Sequence, residues 1–355
     1  MHASEPALNR GRSYTRSVRI GSVPVTGIAR LAPMAGISNA PFRLVARECG
    51  SAMTTSEEIG AMSLVRENPV AREIARFYPE ERPLAMQLLG CDAAALVPAA
   101  EALQAAGADI LDLNMGCPVP KITRQGKGSA LMRDVPTTAL LIRALRRAIT
   151  VPFTVKIRGG WDDQHLNAVD VARMLQDEGV DAITVHPRTR SQQFTGRAPW
   201  QIIADVVEAV TIPVTGNGDV RSMADARRMM AETGCQSVMI GRGALGRPWV
   251  FDETLDELDT AARWERMTRA TRRHVALIEE HYADNQRYLL NQLRKHLGWY
   301  TMNFRGSKQA RAAVHPARSR EEALDAFWGF WERTRERALA GESVEVVPDH
   351  AGLEG

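Results

Sequence analysis

Cys117 stands between Gly116 and Pro118 in the stretch DLNMGCPV (112–119), three residues after Asn114 and at the end of an apolar run. A thiol at so tight a corner can act as nucleophile, metal ligand or acid, or can simply fill space. The other cysteines, at 49, 91 and 235, are too scattered for a CxxC metal knuckle or a secreted disulfide framework. No metal is therefore expected. A nucleophile wants a depressed pKa, whereas an acid must hold its proton, and a thiol near its ordinary value of about 8.5 is mostly protonated at neutral pH.

Other chemistry-bearing residues also close β-rich runs. Eight such runs lie at 28–33, 51–56, 83–89, 108–114, 153–158, 181–186, 212–217 and 236–241, separated by amphipathic stretches with apolar residues at i, i+3 and i+4. Several stretches stop at Gly107, Gly179 or Gly234, the residue type that closes helices. Eight βα units predict an α/β fold, a closed (β/α)8 TIM barrel; a doubly wound open sheet is the alternative. In such a barrel chemistry gathers where strands exit into loops. The exits carry Pro33-Met34-Ala35-Gly36, Gln87, Asn114 with Cys117, Lys156 with Arg158, His186 with Arg188, Asn217-Gly218-Asp219 and Gly241-Arg242-Gly243.

The glycine-rich exits of the seventh and eighth runs can cradle a phosphate. GRGALG (241–246) matches GxGxxG, but no βαβ unit follows it, so the dinucleotide reading fails and the phosphate reading stands. With an apolar wall at 33–36 and a cation at Lys156, these residues describe a flavin mononucleotide (FMN) site. Lys156 would face the ring edge that becomes negative on reduction, and Gln87 would bond the pyrimidine edge.

The chain has 355 residues, 45% apolar and 25% charged, which suits a globular protein. Its start, MHASEPALNRGRS, has no apolar signal region, and no run of 18 apolar residues exists, so a cytoplasmic, non-membrane protein is expected. Net charge is +3, but residues 262–337 alone hold sixteen Lys and Arg against nine Asp and Glu. Such a local excess suits an anionic macromolecule. The expected division is an N-terminal extension with a hairpin (1–27), the barrel (28–248), a connector (249–262), a small helical bundle (263–340) and an acidic tail (341–355).

The segments PMAG (33–36), NMGCP (114–118), VKIRGGW (155–161), VHPRTR (185–190), GNGD (216–219), IGRGALGRPW (240–249) and RKHLGWY (294–300) together resemble the tRNA-dihydrouridine synthase family, most closely its B-type bacterial (DusB-like) branch, over residues 18–335. Two departures stand out: Pro187, where the family commonly has Gly, and an insert-like Asp162-Asp163. The resemblance implies FMN-dependent reduction of the C5=C6 bond of a D-loop uridine in tRNA, with NADPH as reductant. It implies Cys117 as the acid that protonates C5. Cofactor contacts would come from Pro33, Met34, Ala35, Gln87, Lys156, His186, Asn217, Gly218, Asp219, Gly241 and Arg242. Asn114 would hold the uracil, joined by Arg158 and Arg188, with Lys121 and Arg124 on a loop over the base. The bundle would grip tRNA phosphates through Arg294 and Lys295, helped by Arg305, Lys308 and Arg311, and a target uridine must be turned out of its stack to be reached. Phe327, Phe330 and Trp331, at i, i+3 and i+4, are expected in the bundle core. A monomer is expected. Rival readings are a dihydroorotate-type FMN oxidoreductase and an RNA-binding regulator with an inactive barrel.

Overall fold

The computed structural model describes residues 17–346; residues 1–16 and 347–355, which hold much of the N-terminal extension and the acidic tail, lie outside the described residues. Strands β1 (Ser17–Ile20) and β2 (Val23–Thr26) form an antiparallel hairpin. Then come β3 (Ala29–Leu31), β4 (Thr54–Thr55), β5 (Ile59–Gly60), β6 (Leu84–Leu89), β7 (Ile110–Met115), β8 (Phe153–Arg158), β9 (Ala182–His186), β10 (Val214–Asn217) and β11 (Ser237–Ile240). Most of their residues are buried, as expected for parallel strands covered on both faces.

The strand order is β3-β11-β10-β9-β8-β7-β6-β4, with every pairing parallel. The ring closes where Ala52 N–H donates to Ala29 O (2.8 Å) and Leu31 N–H donates to Met53 O (3.1 Å). Helices Ala40–Glu48, Ala93–Ala105, Val135–Ala148, Ala168–Asp177, Gln201–Ala209 and Met223–Thr233 lie between the strands. The fold is the expected TIM barrel. Strand β5 is additional and pairs with the end of β6 through Ile59↔Leu88 and Gly60↔Leu89. Ile20 and Val25 of the hairpin pack on Ala52, Ala85, Ile110 and Ala182, residues at or near the starts of barrel strands. The hairpin therefore seals the end opposite the strand exits.

Chain contacts divide the molecule between Gly241 and Arg242, so a second unit begins at Arg242, earlier than the division at 248 read from the sequence. Residues 242–259, read partly as barrel and partly as connector, contain 3-10 turns Arg242–Ala244, Pro248–Phe251 and Leu255–Glu257. The reason is Trp249: its ring stacks on Tyr300 (5.7 Å between centroids) and meets Trp331 edge-on, so the segment is part of the bundle's core. Helices Thr260–His281, Gln286–Thr301, Ser307–Val314 and Arg320–Leu339 complete this unit. Asp259, Asn285 and Ser319 cap three of them by accepting from main-chain N–H groups. Phe327, Phe330 and Trp331 are all buried, and Trp331 Nε1 donates to Thr268 Oγ1 at 2.8 Å. Among the described residues, no helix is long and apolar enough to cross a membrane.

Candidate active site

Cys117, partly exposed, follows the end of β7 in a turn built by Asn114. Asn114 Oδ1 accepts from the N–H groups of Gly116 (3.0 Å) and Cys117 (2.8 Å), while its Nδ2 donates to Glu58 Oε2 and Gln87 Oε1, both at 2.9 Å. A primary amide has two donors and two acceptor sites, so Asn114 is saturated. It holds the thiol's turn and ties it to Glu58 and Gln87.

Behind the thiol, Cys117 O accepts from Ser129 N–H (3.1 Å) and Ser129 Oγ (3.0 Å). The close approach depends on Gly128, at φ 61°, where an added Cβ would lie 2.7 Å from Cys117 O. Through Asn114 the Glu58 carboxyl is held beside this turn. Burial and the Glu58 charge push the Cys117 pKa up to about 11, so the group is a thiol at neutral pH. A proton donor fits these surroundings; a thiolate nucleophile does not.

Below this level lies a second polar layer. Gln87 Nε2 donates to Asp112 Oδ2 at 2.6 Å, and Thr154 Oγ1 donates to Asp112 Oδ1 at 2.5 Å. Burial raises the Asp112 pKa, partly offset by the Gln87 and Thr154 hydrogen bonds and by the Lys156 and Arg30 charges. One Gln87 amide hydrogen is left for a ligand once the Asp112 bond is made.

Lys156 pairs in register with Asn114 across the β7–β8 ladder. Burial, with the Arg158 charge second, lowers its pKa to about 8. Among the described residues its ammonium has no hydrogen-bond or ion-pair partner, although Asp112 and Cys117 pull its pKa up. A sparsely solvated cation without an acceptor suits an anionic ring edge. That donor set, with the half-buried Pro33 and Met34 and the exposed Ala35 at the exit of β3, fits a flavin. Gly241 closes toward the same wall, since a Cβ on it would lie 3.8 Å from Met34 Sδ.

Two arginines expected at the substrate have other work. Arg158 is 2% exposed; its Nε donates to Gly116 O (2.6 Å) and its Nη1 to Thr189 O (2.9 Å) and Gln193 O (2.8 Å). It therefore clamps the Cys117 turn to the loop after β9. Arg188, also 2% exposed, donates to Thr195 O, Gly196 O and both oxygens of Asp219 (2.9 Å each). Both guanidiniums are thus engaged by the protein's own loops at the strand exits. Asp219 is correspondingly tied up, and its second oxygen also accepts from Ala198 N–H at 2.7 Å. It shapes the loop after β10 and is paired with the Arg188 guanidinium.

His186 is buried, with Nε2 3.5 Å from Arg188 Nη1. Asn217 Nδ2 donates to Met239 O (2.8 Å) and Gly218 O accepts from Trp200 Nε1 (3.0 Å), which ties this exit to its neighbours. Pro187 fits closely against Gly159: a Cβ there would lie 2.2 Å from Pro187 O. Asp162 caps its own turn, accepting from Gln164 N–H at 3.0 Å and lying 2.6 Å from His165 Nδ1. Lys121 and Arg124 are exposed on and just after the short helix Pro120–Thr123.

In the second unit, Arg242 opens the first 3-10 turn. Arg294 and Lys295 line a cavity of about 360 Å³ with Arg311 and His315. Arg294 is held by donating to His315 O (3.1 Å) and Asn291 Oδ1 (2.8 Å), and Lys295 Nζ lies over the Trp299 ring. Arg305 and Lys308 are exposed.

Glu57 and Glu58 were missed. Glu57 accepts from the Gly36 N–H, bracing the Pro33–Gly36 wall, and Glu58 accepts from Asn114 and raises the Cys117 pKa by its charge. They leave β4, the one predicted strand whose exit was not searched; the adjacent acids in SEEIG (56–60) were the available signal.

Fold and site together define a TIM-barrel enzyme with a neutral thiol and a half-buried ammonium at the exits of adjacent strands. The family model described as "Dihydrouridine synthase (Dus)" matches residues 30–332. The tRNA-dihydrouridine synthase B of Pseudomonas aeruginosa is 38% identical over 301 residues, 83% of this chain and 90% of that protein. That of Xanthomonas campestris is 38% identical over 314 residues, 86% and 93%. The chain belongs to the tRNA-dihydrouridine synthase family, whose members are oxidoreductases. A 2-naphthoyl-CoA reductase structure (TM-score 0.57, 11% identity, 70% of this chain and 53% of that one) and a Rhizobium histamine dehydrogenase (0.54, 12%, 72% and 48%) share the fold.

Proposed function

We propose that the protein uses FMN, re-reduced by NADPH, to reduce the C5=C6 bond of a D-loop uridine in tRNA. The observation that carries this reading is the pairing of the Cys117 thiol, held neutral, with the Lys156 ammonium at the exits of adjacent strands. When bound, the flavin supplies a hydride to C6. Conjugation with the C4 carbonyl then places negative charge toward C5, and Cys117 holds the proton that C5 takes. Asn114, Ser129 and Arg158 fix the thiol's turn, while Lys156 gives the flavin edge a positive partner.

Flavin contacts are assigned to Pro33, Met34, Ala35, Gln87, Lys156, His186 and Gly241, with Asn217, Gly218 and Arg242 as the phosphate-side candidates. Lys121 and Arg124, both exposed, are assigned to RNA near the base. Arg294 and Lys295 are assigned to the tRNA backbone, because the cavity they line is cationic. The protein works as a monomer in the cytoplasm.

The test is the dihydrouridine content of tRNA from a strain lacking this gene, complemented with wild type or Cys117→Ala. Wild type should restore the modification and Cys117→Ala should not. Equal dihydrouridine in all three strains would sink the proposal. Yellow protein that oxidises dihydroorotate and leaves tRNA untouched would replace it with the small-molecule reading.

A further inference from the structure

Glu58 has no part in the function as read so far, yet its carboxyl is held by Asn114, the residue that builds the Cys117 turn. Asn114 Nδ2 donates to Glu58 Oε2 at 2.9 Å, and its Oδ1 accepts from the Cys117 N–H at 2.8 Å, so one amide sets the carboxyl beside the thiol's turn, where its charge acts on the thiol. Asn114 thereby holds the thiol's main chain and the carboxyl at once. We propose that Glu58 returns the proton to Cys117 after each reduction. This rests on the reading of Cys117 as the acid that serves C5.

The step balances without any further reagent. The Cys117 S–H bond breaks as the C5–H bond forms, leaving a thiolate. The Glu58 O–H bond then breaks as S–H re-forms, and the resulting carboxylate takes a proton from water. Electrostatics favours this order, because a thiolate against a carboxylate sets two like charges in a sparsely solvated site. Burial first, partly offset by Cys117 and reinforced by Glu57, holds the Glu58 pKa above the usual carboxylate range. The other charges facing Cys117 are Arg158, committed to carbonyls, and Lys156, which makes no hydrogen bond to the thiol.

The experiment compares wild type, Glu58→Gln and Glu58→Asp with two readouts. The first is the pH dependence of iodoacetamide labelling at Cys117 in flavin-free protein, followed on the Cys117 peptide so that exposed Cys91 does not interfere. Removing the carboxylate should move the labelling midpoint to lower pH by on the order of one unit. The second compares the first turnover of pre-reduced enzyme on tRNA with the steady state. Glu58→Gln should keep a first turnover near wild type and lose roughly 100-fold in the steady state, and Glu58→Asp should recover part of that loss. An unchanged midpoint overturns the proposal, as does equal slowing of both phases. Wild type that makes no dihydrouridine overturns the functional reading and the recharging role together. An active wild type with an unaffected Glu58→Gln overturns the recharging role alone.

Discussion

Arg158→Met separates a clamp from an RNA contact. The buried Arg158 guanidinium gives three hydrogen bonds to main-chain carbonyls, one holding the Cys117 turn and two holding the loop after β9. Bonds from a charged donor contribute about 1.5–3 kcal/mol each. Part of that sum is regained because methionine fills much of the volume and no buried cation remains to be desolvated. A net loss of about 3 kcal/mol follows, which for a unit of this size lowers the melting temperature by roughly 6–12 °C. The freed turn moves the thiol, and a shift of about 1 Å costs on the order of 100-fold in turnover. Affinity for tRNA should not change, since the side chain is 2% exposed. Arg158→Lys should fail in the same direction, because a single ammonium cannot span three acceptors held by a planar fork. Thermal melts, single-turnover rates and tRNA binding across a salt series check this. Unchanged melting and turnover with weaker, less salt-dependent tRNA binding would refute the clamp and restore the substrate role.

Lys156→Met should stabilise the flavin-free protein while weakening its hold on flavin. With a folded pKa of about 8 against an ordinary 10.5, the native state holds fewer protons than the unfolded chain between those values. Stability therefore rises with pH across that window. At pH 7 the buried charge costs about 1–3 kcal/mol, which methionine removes, so melts of stripped protein should show a higher, pH-flat midpoint; a lower one would show that the ammonium has a stabilising partner. Binding of tRNA should weaken steeply with salt, and the double substitution Arg294→Ala, Lys295→Ala should flatten the log–log slope by roughly 0.7–0.9 per lost phosphate contact. An unaltered slope would remove the cavity from the RNA path.

The barrel was legible because its evidence is local. Eight β-rich runs alternate with amphipathic stretches, and the polar residues ending those runs share one face by the geometry of a closed parallel sheet. Cys117, Lys156 and Gln87 could be gathered in this way before any contact was known. Strand β5 and the place where the second unit starts were not legible: one is two residues long, and the other depends on Trp249 meeting Tyr300 and Trp331 about fifty and eighty residues downstream.

The sequence by itself determined which functional groups reach the mouth of the barrel, since strand period and exit position follow from residue order. Only the tertiary structure decided which of them remain available to a ligand. Asn114, Arg158 and Arg188 have the right chemistry at the right exits, yet each is engaged by partners that the fold brings in, whereas among the described residues Lys156 has no hydrogen-bond or ion-pair partner and Glu58 is held by Asn114 beside the Cys117 turn. A side chain's type states how many hydrogen bonds it can make. How many are already taken depends on long-range neighbours that no spacing in the sequence records.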